Sequence, residues 1–120
     1  MCFQIQRDTG LWYSVEYSSF SVGPEADKYR LSVSGFSGDT GDALAATVNP
    51  TRIVNGMQFT TSDNDNDNKG NGVCSNGYSG WWFNFCSRST LNLVNNGIWN
   101  ADTDENIKDV VFARMLLKLD

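Results

Sequence analysis

Apolar and polar residues alternate along two stretches near the start of the chain. LWYSVEYSSF at 11–20 and YRLSVS at 29–34 each set large apolar side chains between polar ones. Alternation with a period of two is typical of a strand with one buried face. Gly23-Pro24 indicates a turn between them. The sequence therefore predicts an antiparallel hairpin with its connection at 20–27.

The rest of the chain divides into a turn-rich middle and an apolar end. Glycine, asparagine, serine and aspartate dominate from 56 to 99, so little regular structure is expected there. Before that segment, Ala43 to Ala46 allow one helical turn that Pro50 would stop. The final apolar run at 110–119 is compatible with a buried strand or a short helix, and its valines and phenylalanine favour the strand.

Composition limits the size and the partners of the protein. With 120 residues the chain is expected to form one domain with one modest core. Nine basic against fourteen acidic residues give a net charge of −5, which argues against nucleic acid as a partner. No apolar run approaches the ~18 residues of a membrane span. No charged-then-apolar signal peptide is visible at the start.

The residue types of common catalytic sites are scarce in this sequence. Histidine is absent, which removes Ser-His-Asp and Cys-His catalysis and argues against a zinc site. No paired acid and base set stands outside one aspartate-rich stretch. The acidic residues Asp102, Asp104 and Glu105 are most simply a solvated turn. We therefore expect that the protein is not an enzyme.

The most informative stretch is an aspartate repeat followed by a turn rich in glycine and asparagine. Asp63, Asp65 and Asp67 alternate with asparagines. Such a loop suits Ca²⁺, which takes about six to eight oxygen ligands, among them backbone carbonyls that a pliable turn can point inward. EF-hand spacing does not fit, because the twelfth position counted from Asp63 is Cys74 rather than glutamate. A solvated loop without a metal is the alternative.

Several short motifs follow one another along the chain. They are VGPEADKYRL at 22–31, GFSGDTGDAL at 35–44, MQFTTSDNDND at 57–67, Cys74, GWWFNFC at 80–86, LN at 91–92, NGIW at 96–99, and a closing strand with Met115 and Lys118. In these motifs and their order, over roughly residues 11–119, the sequence resembles the C-terminal portion of fibrinogen-like domains. The resemblance implies a single α+β domain over 1–120, with a small antiparallel sheet from 11–44 and 110–119. It also implies a loop-rich lobe at 56–99 that is stabilised by a disulfide and by calcium.

A set of calcium ligands follows from this resemblance. In the family, the second and third aspartates of the repeat bind the ion through their side chains, and two carbonyls further along the turn add to them. Carried onto this sequence, the ligands are the carboxylates of Asp65 and Asp67 and the carbonyls of Lys69 and Asn71, with waters completing the shell. Asp63 is expected to hold the loop through hydrogen bonds to backbone amides. The turn after Asp67 is one residue longer than in typical members.

The resemblance also implies a disulfide. Cys74 is expected to pair with Cys86, and such a bond implies an oxidising and hence extracellular location. The peptide bond between Phe85 and Cys86 is expected to be cis, as it often is in the family. Cys2 then remains as a free thiol or as half of a bridge to another partner.

Family members bind ligands beside the second cysteine of this disulfide, in a pocket walled by aromatic rings. The ligand is an acetyl group on a sugar or amine in ficolins and tachylectins, and a peptide N-terminus in fibrinogen. Ser87 stands where members usually carry histidine, and the segment after Asn92 lacks a usual tyrosine. Packing in the core is the alternative for each ring, and it is the favoured one for Trp81. The pocket residues implied here are Tyr78, Trp82, Phe85, Cys86 and Ser87.

Two functions from different classes are compatible with these features. The first is a calcium-dependent, lectin-like recognition module for acetylated or other small-headed glycans. The alternative is a structural or adhesion module that binds an extracellular protein through the same lobe. Both imply a secreted protein, and both leave a homo-oligomer open.

Overall fold

The computed structural model describes residues 1–45, 49–75, 80–92, 97–99 and 107–118, with the backbone alone at 107 and 108. Regular structure in these ranges is almost entirely strand. The strands are β1 Cys2–Arg7, β2 Trp12–Val22, β3 Leu31–Gly38, β4 Ser89–Thr90, β5 Gly97–Trp99 and β6 Ile107–Leu116. The described helices are two 3₁₀ turns, Glu25–Asp27 and Pro50–Arg52.

The six strands form one antiparallel sheet in the order β3-β2-β1-β6-β5-β4. β2 and β3 pair from Val22 opposite Leu31 to Val15 opposite Gly38. This pairing confirms the predicted hairpin, although both strands extend further than the alternating pattern indicates. Alternation sets the register, because the apolar members Val15 and Leu31 are fully buried on one face.

The central strand β1 lies in a segment that carries none of the recognised motifs. It pairs with β2 on one side and with β6 on the other. Phe3 and Ile5 are fully buried, and they alternate with partly exposed neighbours. A sheet built from 11–44 and 110–119 alone omits this strand, because alternation over six residues is too short to stand out in the sequence.

Aromatic rings join the inner face of the sheet to the loop-rich lobe. Within the sheet, the ring of Phe3 on β1 lies 5.4 Å from that of Trp99 on β5, and the ring of Phe20 on β2 lies 6.4 Å from that of Trp82 in the lobe. Within the lobe, Trp82 contacts Phe59 and Trp81 at 5.3 and 5.2 Å. Each such pair adds about 0.5–1.5 kcal/mol beyond the burial of its area. Rings therefore stabilise the lobe, in which hydrogen-bonded ladders are few.

The apolar end of the chain forms the predicted strand, β6, but only part of that strand is buried. Val110 is 4% exposed, whereas Val111 and Phe112 are 53% and 50% exposed. On the outer face of the sheet, Phe112 lies against the ring of Trp12 at 5.6 Å, and the guanidinium of Arg114 lies 5.6 Å from the centre of the same ring. Apolar composition correctly predicted the strand here and overstated its burial.

Helix content is lower than the predicted α+β class implies. Residues 43–45 form a turn, and Pro50 begins a 3₁₀ helix, whereas the sequence predicts that it ends a helical turn. A fixed φ suits proline to the first helical position, and Oδ1 of Asn49 caps the helix by accepting from the Thr51 amide at 3.0 Å. Neither described helix has the length or apolarity that crossing a bilayer requires.

Candidate functional site

The aspartate repeat lies in a loop, residues 61–73, that begins beside the tryptophan pair. Thr60 and Trp81 exchange two backbone hydrogen bonds of 2.9 and 3.2 Å, and these hold the start of the loop. The Asn66 side chain donates to the Phe59 carbonyl at 2.8 Å, and its backbone amide donates to the Thr60 hydroxyl at 3.0 Å. These bonds hold the first half of the aspartate loop against the residues beside the tryptophan pair.

The two predicted carboxylate ligands shape the second half of the aspartate loop. Oδ1 of Asp65 accepts from the Asp67 amide at 3.2 Å. Asp67 uses both oxygens: Oδ1 accepts from the Lys69 amide at 2.9 Å and Oδ2 from the Cys74 amide at 2.7 Å. Each carboxylate oxygen keeps a second lone pair for a cation. Asp67 thus fixes the backbone that carries the predicted carbonyl of Lys69, while the other predicted carbonyl belongs to the exposed Asn71.

Asp63 has a different role from the other two aspartates. It is exposed, and its Oδ1 accepts from the Thr61 hydroxyl at 2.6 Å, while its own backbone amide is a second donor, in line with the expected backbone bonds. The hydrogen bond from Thr61 is the main cause of the lowered pKa of Asp63. Asp63 therefore stabilises the first turn of the loop.

The donor set of the aspartate loop fits a hard cation in part. Carboxylate and carbonyl oxygens are the ligands that Ca²⁺ takes in proteins. In the described ranges, no three side chains of the Asp, Glu, Cys or His types lie close enough together to hold a metal by themselves. A calcium ion bound by Asp65 and Asp67 would therefore need backbone carbonyls and waters as well.

Cys74 and Cys86 form the expected disulfide, and the Phe85–Cys86 peptide bond is cis. Cys2 forms no disulfide with either of these cysteines, as expected, and partial burial is the main cause of the raised pKa of its thiol.

Asn84 joins three parts of the site and is only 8% exposed. Its Oδ1 accepts from the Asn68 side chain at 2.7 Å, and its carbonyl accepts from the Asn68 amide at 3.1 Å. Its Nδ2 donates to the carbonyls of Ile53 at 2.9 Å and Pro50 at 3.3 Å. The disulfide segment, residues 81–86, is thereby bonded both to the aspartate loop and to the 3₁₀ helix Pro50–Arg52.

A cavity of about 310 Å³ opens beside the disulfide where these three parts meet. We call it the disulfide cavity. Arg52 comes from the 3₁₀ helix, Lys69 from the aspartate loop, and Ser87 from the residue after Cys86. Besides these three, the lining residues are Val73, Cys74, Phe83, Cys86, Thr90 and Ile98. A larger cavity, about 610 Å³, lies elsewhere, near Met1, Cys2, Glu16, Leu117 and Lys118, and contains none of the predicted site residues.

The structure brings only part of the predicted pocket together. Cys86 and Ser87 line the disulfide cavity. Trp82 does not: it is 8% exposed, and its indole N–H donates to the Tyr29 carbonyl at 2.8 Å in the core. Phe85 is 45% exposed and also does not line the cavity. Tyr78 lies outside the described residues.

Several walls of the disulfide cavity come from residues that the predicted pocket did not include, although Lys69 was expected nearby as a calcium ligand. Phe83 and Ile98 supply apolar surface, and Arg52 and Lys69 supply positive charge. In a loop without periodicity, the sequence WWF gives no sign of which ring faces a cavity. Arg52 is far from the cysteines in sequence, and the Asn84 bonds that place it beside them are visible only in the structure.

Comparison with known proteins assigns this geometry to one family. The sequence matches the family model of the fibrinogen beta and gamma chains, C-terminal globular domain, over residues 1–114. The chain therefore belongs to the fibrinogen C-terminal globular domain family. This match confirms the resemblance found in the motifs and extends it to residues 1–10.

The curated relatives are fibrinogen-like protein 1 and the fibrinogen gamma chain. The chain is 37% identical over 97 residues to the rat fibrinogen-like protein 1, covering 77% of this chain and 31% of that protein. It is 44% identical over 99 residues to the human fibrinogen gamma chain, covering 76% of this chain and 22% of that one. The chain thus spans less than a third of the length of these relatives.

Solved structures of the same kind share the fold. The fibrinogen-like globe domain of human ANGPTL6 matches with a TM-score of 0.65 and 33% identity, over 76% of this chain and 38% of that one. Lamprey fibrin D-dimer, complexed with the peptide ligand Gly-His-Arg-Pro-amide, matches with a TM-score of 0.70 and 30% identity, over 79% and 33% of the two chains. The protein has a fibrinogen-like fold, which is in general a module for recognition and not for catalysis.

Proposed function

We propose that this chain is an extracellular, calcium-stabilised recognition module of lectin type. The head group of its ligand, an acetyl group or one of similar size on a glycan, is held in the disulfide cavity. The observation that carries this proposal is that the three segments forming the cavity walls are bonded to one another. Asn84 joins the aspartate loop, the disulfide segment and the 3₁₀ helix. The disulfide itself supports an oxidising, extracellular location.

The size and lining of the disulfide cavity support a small head group. At about 310 Å³ the cavity is at the lower end of the range for ligand pockets. An acetyl group has a methyl, which Val73, Phe83 and Ile98 can cover, and a carbonyl oxygen, which accepts hydrogen bonds. Donors for that oxygen are available on the side chains of Arg52 and Lys69.

Calcium has a structural role in this proposal. The carboxylates of Asp65 and Asp67 and the carbonyls of Lys69 and Asn71 would hold the ion. A divalent cation offsets the repulsion between neighbouring carboxylates and orders the loop that contains them. Because Lys69 belongs to that loop and also lines the disulfide cavity, the ion would position one wall of the binding site without touching the ligand.

A second function, binding of a protein partner through the same lobe, is favoured by one comparison. The lamprey fibrin structure, which shares this fold, holds a short peptide ligand. An adhesion or assembly module would bind a polypeptide in the disulfide cavity rather than a glycan. The two functions differ in the ligand and not in the location of the site.

Titration calorimetry with N-acetylglucosamine and glucose tests the proposal. We expect the acetylated sugar to bind and the sugar without the acetyl group not to bind. Val73→Trp should block binding by filling the disulfide cavity, whereas Val22→Trp, at the 44%-exposed end of β2, should not. Binding of Gly-His-Arg-Pro-amide without binding of any acetylated sugar would support the protein-binding function instead.

A further inference from the structure

Positive charge is concentrated around the disulfide cavity. A second cavity of about 290 Å³ shares Arg52, Ser87 and Ile98 with it and adds Arg88. Arg52, Lys69 and Arg88 are three of only nine basic residues in a chain with a net charge of −5. Among the described residues that line the two cavities, none is an aspartate or a glutamate. The local charge is therefore opposite to that of the whole protein.

Arg52 is held firmly at this position by backbone contacts. It ends the 3₁₀ helix Pro50–Arg52, whose carbonyl groups are bonded to the disulfide segment. The Thr51 carbonyl accepts from the Phe85 amide at 2.9 Å, and the Asn84 side chain donates to the carbonyls of Pro50, the first residue of the helix, and of Ile53, which follows the helix. The backbone that carries Arg52 is therefore ordered before a ligand arrives, which lowers the entropic cost of binding.

Lys69 is held from the other side of the cavity. Its backbone amide donates to Oδ1 of Asp67, while Oδ2 of Asp67 accepts from the Cys74 amide at 2.7 Å. The lysine backbone is therefore fixed next to the disulfide, and Lys69 lines the cavity.

The two cations have no acidic partner within the part of the chain that the structure describes. The ion pair found there joins Arg30 to Asp27 at 3.0 Å, and it lies elsewhere. The Asp67 carboxylate, which belongs to the same loop as Lys69, accepts from the Lys69 and Cys74 backbone amides. An uncompensated arginine and lysine on two walls of one cavity attract an oxyanion, because hydrogen bonds from charged donors to a charged acceptor are about twice as strong as neutral ones.

We propose that the head group bound in the disulfide cavity carries a negative charge, so that an acetylated ligand with a carboxylate is preferred to its neutral counterpart. This inference rests on the proposed function, because it concerns the ligand of the same site. It also implies that a cationic peptide such as Gly-His-Arg-Pro-amide is disfavoured, since its charge has the same sign as that of Arg52 and Lys69.

The test compares N-acetylglycine with N-acetylglycinamide, which have the same acetyl group and differ in the charge at the other end. Binding of each is followed by NMR titration on the backbone amides of Lys69, Cys86 and Ser87. We expect the anion to bind about tenfold more tightly, the difference between charged and neutral hydrogen bonds. At about 0.5 M salt this ratio should fall, because salt screens the interaction.

Variants assign that preference to particular side chains. Arg52→Gln and Lys69→Gln should each bring the two affinities closer together. Lys28→Gln makes the same change in net charge on an exposed residue that lines neither cavity, and it should leave the ratio unchanged. The amide spectrum of each variant reports whether it is folded.

The outcomes separate this inference from the proposed function. Equal binding of the two compounds, or tighter binding of the neutral one, would overturn the inference and leave the acetyl-binding function intact. Failure of both compounds to bind the folded protein would overturn the proposed function, and the inference with it. Tighter binding of Gly-His-Arg-Pro-amide than of N-acetylglycine at the same amides would also overturn the inference.

Discussion

Nδ2 of Asn68 lies 2.7 Å from Oδ1 of Asn84, so that one amide pair connects the aspartate loop to the disulfide segment. The same Asn84 side chain bonds the carbonyls of Pro50 and Ile53. The buried side chain of Asn84 therefore connects the disulfide segment to the aspartate loop and to the 3₁₀ helix, and no regular strand ladder joins these three segments. Buried polar networks of this kind specify one arrangement because each unmade bond is costly.

Replacing Asn84 should destabilise the protein more than replacing its partner. Asn84→Ala removes the buried bonds to the Asn68 side chain and to the carbonyls of Pro50 and Ile53, and we expect it to lower the free energy of unfolding by about 2–4 kcal/mol. Asn68→Ala removes the bond to Asn84 and a longer one to the Met57 sulfur at an exposed residue, and it should lower the free energy of unfolding by about 1 kcal/mol. Urea denaturation of the two variants measures both effects. Equal effects would mean that the contacts to the 3₁₀ helix contribute little.

Gly38 should not tolerate a side chain. A Cβ added there would lie 2.6 Å from the Ser14 carbonyl oxygen and 2.9 Å from Cα of Val15, both on the neighbouring strand β2. Backbone atoms cannot move aside, so Gly38→Ala should cost about 1–3 kcal/mol. Gly70→Ala is the control, since nothing lies within 4 Å of its added Cβ. Thermal melts in which both variants match the wild type would contradict the close β2–β3 contact.

The hairpin and the aspartate loop could be predicted from sequence, while the shape of the site could not. Alternation shows which side chains of β2 and β3 share a face, because the pleat has the same period. The disulfide segment has no such period, and Trp82 therefore entered the predicted pocket in place of Phe83. Arg52 could not be found either, because its position beside the cavity depends on the bonds from the Asn84 side chain to the carbonyls of Pro50 and Ile53.

Stability should decline in alkaline solution through Tyr17. The residue is 1% exposed and donates to a carboxylate oxygen of Asp42; burial is the main cause of its raised pKa, and this hydrogen bond adds to it. The folded state keeps the proton above pH 10, where an unfolded tyrosine loses it, so the stabilisation is complete below about pH 10 and declines above it. One such group changes the free energy of unfolding by at most about 1.4 kcal/mol per pH unit.

Urea denaturation of the wild type and of Tyr17→Phe isolates the contribution of Tyr17 to the pH dependence of stability. The measurements run from about pH 8 to 11, on both sides of the pKa of about 10 of an unfolded tyrosine. The variant should be less stable at neutral pH, because Asp42 loses a donor, but its stability should decline less steeply above pH 10. The same decline in both proteins would assign the alkaline effect to other groups.

Calcium should raise the melting temperature. A ligand that binds only the folded state stabilises it by about 2.7 kcal/mol at a hundred times its Kd. Asp65→Asn removes a proposed ligand and should weaken this response, whereas Asp63→Asn changes the same charge in the same loop and should not, because Asp63 bonds the Thr61 hydroxyl. Melts of the three proteins in millimolar Ca²⁺ and in chelator give the comparison. An unchanged wild-type melt would argue for a loop without a metal.

Calcium and ligand should bind cooperatively, because Lys69 belongs to both sites. Its backbone is bonded to Asp67 in the aspartate loop, and the residue lines the disulfide cavity. Ordering the loop should therefore order one wall of the cavity. We expect chelation of calcium to weaken the binding of N-acetylglucosamine by about fivefold or more, within the usual range of coupling between sites.

Linkage makes this effect reciprocal, so saturating sugar should tighten calcium binding by the same factor. Asp67→Asn should weaken the binding of both calcium and sugar, because it loosens the bonds to the Lys69 and Cys74 amides. Val73→Trp fills the cavity and should abolish sugar binding while calcium affinity stays the same. Calorimetric titration of sugar into each variant, in saturating calcium and in chelator, gives the two sugar affinities. Titration of calcium, with and without saturating sugar, gives the two calcium affinities. Equal sugar affinity with and without calcium would show that the ion stabilises the aspartate loop alone and has no influence on the disulfide cavity.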